Sequence, residues 1–201
     1  MINYKAINKS FSEHKIVILP TETVYGMAIL YDDNIAYEKL IKLKGRDFTK
    51  PIAMMVPPNF NFEDYFYLND VAKIIIKKFL PGPLTVLLKS KVDLPYQVHL
   101  GSNIVGIRMP KDNRLIQFLK KINKPLQVTS CNISNTPPCT NYKEAVNLFG
   151  GSNDVGVIIK GKAKSNIPTT VVDITCNDIK ILREGEIKAK QIMEVIKWKF
   201  Q

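Results

Sequence analysis

The sequence lacks the residue patterns of zinc-bound and disulfide-bonded proteins. It has three cysteines (Cys131, Cys139 and Cys176), none in CxxC spacing, and only two histidines, His14 and His99. An odd number of scattered cysteines gives no disulfide framework, and two imidazoles without nearby paired cysteines give no zinc site. Both classes are disfavoured, while a catalytic Cys–His pair stays open as an alternative that no motif supports.

The common catalytic and nucleotide-binding signatures are also missing. The chain contains neither GxxxxGK[ST] nor GxGxxG, so neither a P-loop nor a dinucleotide fold is supported. GxSxG and HExxH are absent too, which removes the most common hydrolase motifs. A phosphate site in this protein would therefore be built from side chains.

No apolar run approaches the ~20 residues that a membrane-spanning helix requires. Lysines occur in the first fifteen residues, but no apolar segment or small-residue cleavage site follows them before the first predicted strand. We therefore expect no membrane association, no signal peptide and a cytoplasmic location. The 201 residues are 45% hydrophobic and 23% charged, and no repeat or linker divides them. This composition predicts one globular domain over residues 1–201.

The formal net charge is +11, which favours polyanionic partners such as nucleotide phosphates or RNA. A lysine-rich, solvated surface explains most of this charge equally well. Of the 29 basic residues 25 are lysine and only four are arginine. Because the planar guanidinium suits phosphate and carboxylate better than an ammonium does, the positions of the arginines are informative.

Strand-like and helix-like segments alternate along the chain. The predicted strands are Ile16–Leu19, Val24–Ile29, Ile52–Val56, Leu84–Leu88, Asn103–Met109, Leu126–Ser130, Val155–Ile159, Thr169–Thr175 and Ile179–Arg183. The predicted helices are 34–44, Asp70–Leu80, Leu115–Ile122, Tyr142–Phe149 and Lys188–Phe200. Several connections are too short for a parallel crossover, so we expect an α/β domain with a twisted mixed sheet and flanking helices. The aromatic stretch 60–67 is better explained as a flap or partly buried helix than as a base-stacking platform.

The first strand, Ile16–Leu19, runs into a polar loop that contains Thr21, Glu22 and Thr23. A buried strand that ends in hydroxyls and a carboxylate can deliver side chains to a site from a rigid support. A solvated turn explains this segment equally well on its own.

Three cations, Lys44, Arg46 and Lys50, fall within seven residues on one helix-to-strand connection. Gly45 is expected to end the helix and Pro51 to hold Lys50 extended, so the three could clamp a polyphosphate. The alternative is a helix C-terminus that favours positive charge, which explains Lys44 easily and Arg46 less well.

Ser130 and Asn132 leave the strand Leu126–Ser130 as an SxN pair, and Ser134 and Thr140 add hydroxyls before a predicted helix N-terminus. Backbone N–H groups at such a terminus favour anions. Most SxN pairs reflect ordinary turn chemistry, so this signal is weak alone.

Arg108 and Arg183 each lie at the end of an apolar strand, where a guanidinium requires an anionic partner or access to water. Arg114 lies among charged residues near a helix start and is expected at the surface. Three of the four arginines, with Arg46, thus have a candidate role in binding anions.

Seven motifs together resemble a known family. They occur in the order LPTETVYG, KGR with a following Lys-Pro, LPGPLTVLL, GIRMP, SCNIS, PTTVVD and ILREG, and they cover roughly residues 10–187. The chain resembles the YrdC-type threonylcarbamoyl-AMP synthases, called TsaC in bacteria. Each motif is modest, but seven in order make chance agreement very improbable.

The resemblance implies one YrdC-like α/β domain with a large basic cavity. It implies condensation of L-threonine, bicarbonate and ATP, with Mg2+, to threonylcarbamoyl-AMP and pyrophosphate. A downstream threonylcarbamoyl transferase complex would then modify an adenosine beside the anticodon of tRNA, and the resemblance leaves direct tRNA binding open.

The resemblance also implies roles for individual residues. Its KxR and SxN pairs give a catalytic tetrad, Lys44, Arg46, Ser130 and Asn132. The implied ATP contacts are Arg46, Lys50, Asn132, Thr140 and Arg183. The implied threonine contacts are Thr23, Arg108, Ser130 and Thr169, with Met55 and Pro110 lining that pocket. No metal ligand from the protein is implied.

Two departures from the family pattern stand out. Asp47 replaces the usual proline after the KxR arginine, and Thr169–Thr170 replaces a common Ser-Thr pair. The chain ends soon after ILREG, as in short members without an extra C-terminal domain. Two alternatives remain, a non-catalytic RNA-binding module and a related carbamoyl-transfer enzyme, and the length disfavours the second.

Overall fold

Alternating strands and helices form one α/β domain in the computed structural model, which describes residues 2–45, 47, 49 and 51–197. The strands in the described part are β1 Ile16–Leu19, β2 Gly26–Leu30, β3 Met54–Met55, β4 Phe66–Tyr67, β5 Leu84–Ser90, β6 Ile104–Arg108, β7 Leu126–Ser130, β8 Val155–Ile158, β9 Thr170–Asp173 and β10 Lys180–Arg183. The helices there are α1 Tyr4–Ser12, α2 Asn34–Lys44, α3 Phe62–Tyr65, α4 Asp70–Phe79, α5 Tyr96–His99, α6 Asn113–Ile122, α7 Tyr142–Phe149 and α8 Ala189–Lys197.

All the strands belong to one sheet in the order β10-β9-β5-β6-β3-β7-β2-β1-β8, with β4 added beside β5. The short connections make β1–β2, β5–β6 and β9–β10 antiparallel, whereas β1–β8, β3–β6 and β5–β9 are parallel. The predicted mixed sheet is therefore confirmed.

The half of the sheet that contains β8, β1 and β2 is covered by helices on both faces, and we call it the scaffold half. In β1, Ile16 and Ile18 pack with residues of α2 and α7, whereas Leu19 and Val17 pack with residues of α1 and α6. Side chains alternate between the two faces of a strand, so a strand buried on both sides is apolar throughout. This explains the continuous apolar run of β1.

The half that contains β5 and β6 is covered by helices on one face only, and we call it the cavity half. On that face Val86 of β5 and Ile107 of β6 pack with residues of α4 and α8. Thr85, Leu87 and Gly106 alternate with these residues along the strands and line a cavity on the opposite face. The cross-strand pair Leu87–Gly106 places both positions on that same face.

The helix ends follow the predicted chemistry. The side chains of Asp33, Asn69 and Asn141 each accept a hydrogen bond from a backbone N–H in the first turn of the following helix. Gly45 ends α2 in the left-handed conformation, at φ 57°, which glycine adopts without strain. Arg46, the next residue in the sequence, lies outside the described residues.

Three local features differ from the sequence-based expectation. Helix α1 was not predicted, although Asn3 caps it and Ile7 and Phe11 place its apolar face against the core. The third strand is regular only at Met54–Met55, within the predicted 52–56. The aromatic stretch 60–67 forms α3 and β4, so the helical interpretation was partly right. Within the described ranges, no helix has both the length and the apolar character that crossing a bilayer requires.

Candidate active site

A cavity of about 470 Å³ lies on the open face of the cavity half and extends onto β7 and β2. Its floor comes from β9, β5, β6, β3, β7 and β2, and its walls come from the loops after β1 and before β9. Five residues with predicted site roles line it together with Met55: Thr23, Arg108, Ser130, Thr169 and Arg183. Thr23 and Arg183, which lie 160 positions apart in the chain, therefore line the same cavity.

The loop after β1 is ordered by internal hydrogen bonds and is not a solvated turn. Thr21 and Thr23 are both buried, and their hydroxyl oxygens lie 3.0 Å apart. The Thr21 hydroxyl also donates to the Val24 carbonyl at 2.6 Å and accepts from the Thr23 N–H at 3.1 Å. Tyr25 anchors the end of the loop, since its hydroxyl donates to the Ile159 carbonyl at 3.0 Å and burial raises its pKa to about 12.

Arg108 emerges from the end of β6 into the cavity with an anionic partner. Its Nη2 donates to the Thr23 hydroxyl at 3.1 Å and lies 2.8 Å from Glu22 Oε1. The two charged side chains are 12% and 11% exposed, so water screens this ion pair little. Glu22 had no predicted role, because its sequence position gives no sign that it meets Arg108.

Arg183 and Thr169 form a second polar group at the cavity wall. Arg183 donates to the Thr169 carbonyl through Nε at 3.1 Å and Nη2 at 2.9 Å, and Nη2 also donates to the Thr169 hydroxyl at 3.1 Å. The Thr169 hydroxyl lies 2.9 Å from that of Thr85. Thr85 was missed by the sequence analysis, although a threonine inside the apolar run LTVLL is a detectable signal.

Close backbone packing holds this wall in place. The Gly185 N–H and the Ile187 N–H donate to the buried Thr170 hydroxyl at 2.9 and 3.1 Å. A Cβ on Gly185 would lie 2.2 Å from the Pro168 carbonyl oxygen, closer than atoms approach without a clash. The glycine of ILREG therefore allows this segment to lie against PTTVVD.

Lys44 lies inside the protein and organises the SxN pair. Its side chain is buried, and Nζ donates to the Ser130 carbonyl and, at 2.9 and 2.8 Å, to the carbonyl and Oδ1 of Asn132. The Ser130 hydroxyl donates to the same Oδ1 at 2.7 Å. The alternative that Lys44 only complements its helix C-terminus is therefore insufficient. Three members of the implied tetrad are in direct contact.

The remaining predicted residues lie outside the group that lines the cavity. Thr140 uses its N–H and hydroxyl to donate to Glu144 Oε2, at 2.7 and 3.2 Å, and is absent from the lining. Pro110 is buried and also does not line the cavity, so its implied place beside threonine stays a prediction. Arg46 and Lys50 fall outside the described residues. Arg114, with its side chain 53% exposed, is at the surface as expected.

Two of the three cysteines are poorly suited to the alternative catalytic pair. Burial raises the pKa of both Cys131 and Cys139, which disfavours the nucleophilic thiolate. His14 contacts Asp33, and His99 contacts the Leu94 carbonyl. In the described part of the chain, no group of three His, Cys, Asp or Glu residues could hold a metal ion.

Comparison with known proteins gives a consistent result. The family model Sua5_yciO_yrdC, described as "Telomere recombination", matches residues 9–185. A curated relative from Methanocaldococcus jannaschii is 37% identical over 186 residues, which are 92% of this chain and 87% of that protein. The threonylcarbamoyl-AMP synthase of Bacillus subtilis is 30% identical over 186 residues, covering 92% of this chain and 54% of that enzyme. The chain thus spans about half the length of this second relative.

Solved structures agree with the sequence comparison. The crystal structure of Pyrococcus abyssi Sua5 complexed with L-threonine has a TM-score of 0.84 and 28% identity, and the match covers 98% of this chain and 58% of that one. The Escherichia coli YciO structure has a TM-score of 0.83 and 21% identity, over 96% and 95% of the two chains, and shares the fold. The cavity, its motifs and these matches place this chain in the Sua5/YciO/YrdC family.

Proposed function

We propose that this protein is an L-threonylcarbamoyladenylate synthase that condenses L-threonine, bicarbonate and ATP to threonylcarbamoyl-AMP and pyrophosphate. Family membership makes the chain an enzyme of the nucleotidyltransferase type. The observation that carries the specific proposal is the meeting of the Arg108 and Arg183 guanidinium groups in one cavity. The hydroxyls of Thr23, Ser130 and Thr169 line the same cavity. An RNA-binding module would instead require basic side chains spread over an exposed face.

The two arginines differ in burial, which suggests two ends of the binding site. Arg108 is largely buried beside Thr23, whereas Arg183 is exposed beside Thr169. We assign the amino acid to the Arg108 end, where its carboxylate would meet the guanidinium. Ser130 is a further proposed contact, and so is Thr169, which borders the Arg183 end and also contacts Thr85 opposite Arg108. The triphosphate is assigned to the Arg183 end. Asn132 and Thr140, which do not line the cavity, and Arg46 and Lys50, which lie outside the described residues, are proposed as further ATP contacts.

The chemistry requires positioning and charge stabilisation more than a protein nucleophile. The carbamate oxygen of N-carboxythreonine would attack the α-phosphorus of ATP, forming a new P–O bond while the bond to pyrophosphate breaks. Both reactants are anions, so cationic side chains reduce their repulsion and stabilise the charge that develops on the leaving group. Lys44 would contribute indirectly, because it orients Ser130 and Asn132.

Mg2+ fits this proposal as an ion that enters with ATP. The described lining residues offer hydroxyl and carbonyl oxygens but no carboxylate. Mg2+ commonly keeps several waters and binds largely through substrate phosphates, so this donor set suits an ion held mainly by ATP. Bound there, Mg2+ would screen phosphate charge.

The test is pyrophosphate release by the purified protein with L-threonine, bicarbonate, Mg2+ and ATP. We expect release that stops when threonine or bicarbonate is omitted. Release that continues unchanged without threonine would disprove the substrate assignment. A threonylcarbamoyl group that appears on the adenosine beside a tRNA anticodon only when the downstream transferase complex is added would support the proposed pathway role.

Arg183→Ala tests the nucleotide end. Removing a charged contact to phosphate should raise the KM for ATP by about tenfold or more, since such a contact contributes about 1.5–3 kcal/mol. Arg114→Ala is the matched control, because it removes an arginine that lies outside the cavity. Equal KM values for ATP in both variants would contradict the assignment of Arg183.

A further inference from the structure

Glu22 is a buried carboxylate with no assigned role. It does not line the cavity, and both of its carboxylate oxygens are buried without a hydrogen bond. Among the described residues, the cation that forms an ion pair with Glu22 is Arg108, whose Nη2 lies 2.8 Å from Oε1. Since the carboxylate is shielded from the cavity, it can act on a substrate only through Arg108.

The pairing divides the donors of Arg108 into two sets. Nη2 is shared between Glu22 and the Thr23 hydroxyl at 3.1 Å, and both partners come from the ordered loop after β1. Nε is buried and has no hydrogen-bond partner. Arg108 therefore lines the cavity with one side of its guanidinium held by the loop after β1.

The burial of the pair explains why it should be persistent. An uncompensated charge at this depth is costly, so neither partner is stable there without the other. Together they are electrically neutral, which makes this end of the cavity suited to a zwitterion rather than to any small anion. A free amino acid is such a zwitterion, with a carboxylate for Arg108 and an ammonium that a bare cation would repel.

We propose that Glu22 is a positioning residue that holds and neutralises Arg108 for the carboxylate of the amino-acid substrate. This inference rests on the proposed function, because it takes the substrate to be L-threonine. Glu22 would favour a zwitterion at the Arg108 end of the cavity without touching the substrate.

The primary test is Glu22→Gln, which keeps the shape and removes the charge. Without the Glu22 charge, Arg108 attracts the carboxylate of L-threonine more strongly but also repels its ammonium group. Because these two effects oppose each other, the loss of the fixed Arg108 orientation dominates. We expect the KM for L-threonine to rise by about tenfold while kcat changes by less than about threefold. Glu63→Gln, which breaks an exposed ion pair with Lys73 at 3.3 Å, is the matched control and should leave both constants unchanged.

Acetate inhibition separates this role from a merely structural one. A bare Arg108 should bind simple carboxylates, so acetate should compete with threonine at a concentration about fivefold lower in Glu22→Gln than in the wild type. Unchanged KM and unchanged acetate inhibition in a folded Glu22→Gln protein would overturn the proposal.

A double variant keeps the proposal testable if Glu22→Gln fails to fold. Removing both charges of a buried pair is often tolerated, so Arg108→Gln/Glu22→Gln should fold more readily than the single Glu22 variant. Because Glu22 acts through Arg108, removing the Glu22 charge from the Arg108→Gln protein should cause no further loss of affinity for L-threonine in calorimetry. A further loss of affinity in the double variant would show that Glu22 acts by another route.

The same measurements separate this inference from the proposed reaction. Wild-type protein that binds L-threonine in calorimetry but releases no pyrophosphate would overturn the reaction, and the affinity of Glu22→Gln would still decide the role of Glu22. Wild-type turnover with an unaltered Glu22→Gln KM would overturn the role of Glu22 alone. Wild-type protein that binds no L-threonine would overturn both.

Discussion

The scaffold half and the cavity half of the sheet differ in what covers their faces. In the scaffold half β1 is buried on both sides, by α2 and α7 on one face and by α1 and α6 on the other. In the cavity half β5 and β6 bury one face against α4 and α8, and the other face forms the cavity floor. The same sheet therefore provides stability in one half and a binding surface in the other.

The difference is visible residue by residue. In β1 successive side chains are all apolar, whereas in β5 the polar Thr85 is followed by the core residue Val86. Burying a strand on one face leaves alternate positions available for polar groups. This is the physical reason why Thr85 and Arg108 can face the cavity without disturbing the core beneath them.

The largest expected effect compares truncations in the two halves. Ile18→Ala removes a fully buried side chain between packed layers and should reduce the free energy of unfolding by roughly 4 kcal/mol. Leu87→Ala removes a half-buried side chain beside the open cavity and should cost about 1 kcal/mol. Urea unfolding of the two variants measures this contrast. Equal losses would mean that the cavity floor is packed as tightly as the scaffold.

A smaller effect concerns the link between the halves. The buried Asp112 caps α6 in the scaffold half, and Lys164, 2.8 Å away, belongs to the segment that leads to Thr169. Burial would raise the pKa of Asp112, but hydrogen bonds from Lys164 and Arg114 outweigh this effect and lower the pKa to about 2, from an ordinary 3.8. Because the folded pKa is depressed, the stabilisation is present above about pH 4 and is lost as the pH falls towards 2.

Asp112→Asn isolates this contribution, since asparagine can still cap the helix. At pH 7 the free energy of unfolding of the variant should be about 2 kcal/mol lower than that of the wild type, because a pKa shift of one unit corresponds to about 1.4 kcal/mol. The difference should shrink as the pH falls from 4 to 2, which urea titrations at several pH values would measure. A difference that is constant with pH would contradict the ion-pair explanation.

The smallest expected effect concerns the cavity wall. Gly185→Ala places a Cβ 2.2 Å from the Pro168 carbonyl oxygen, so the wall must shift, at a cost of about 1–2 kcal/mol. Because the shift reaches Thr169 and Arg183, we expect the KM for ATP to rise. Gly151→Ala is the control, because its Cβ would enter open space. Unchanged stability and KM in Gly185→Ala would show that the wall adapts freely.

Much of the fold could be predicted from local chemistry. The caps at Asp33, Asn69 and Asn141 depend on side chains that act within three residues, so their effect is written in the local sequence. Helix α1 was missed because the lysine-containing N-terminus was judged only as a targeting segment. The roles of Glu22 and Lys44 were unclear because burial depends on distant parts of the chain.

By itself, the sequence determined the mixed α/β architecture and the set of polar side chains that end its strands. Periodicity and turn residues act over a few positions, so these features need no knowledge of the whole fold. Only the tertiary structure decided that Glu22 pairs with Arg108 and that Lys44 reaches Ser130 and Asn132. Such contacts join residues 86 and 88 positions apart, and long-range packing alone brings them within hydrogen-bond distance.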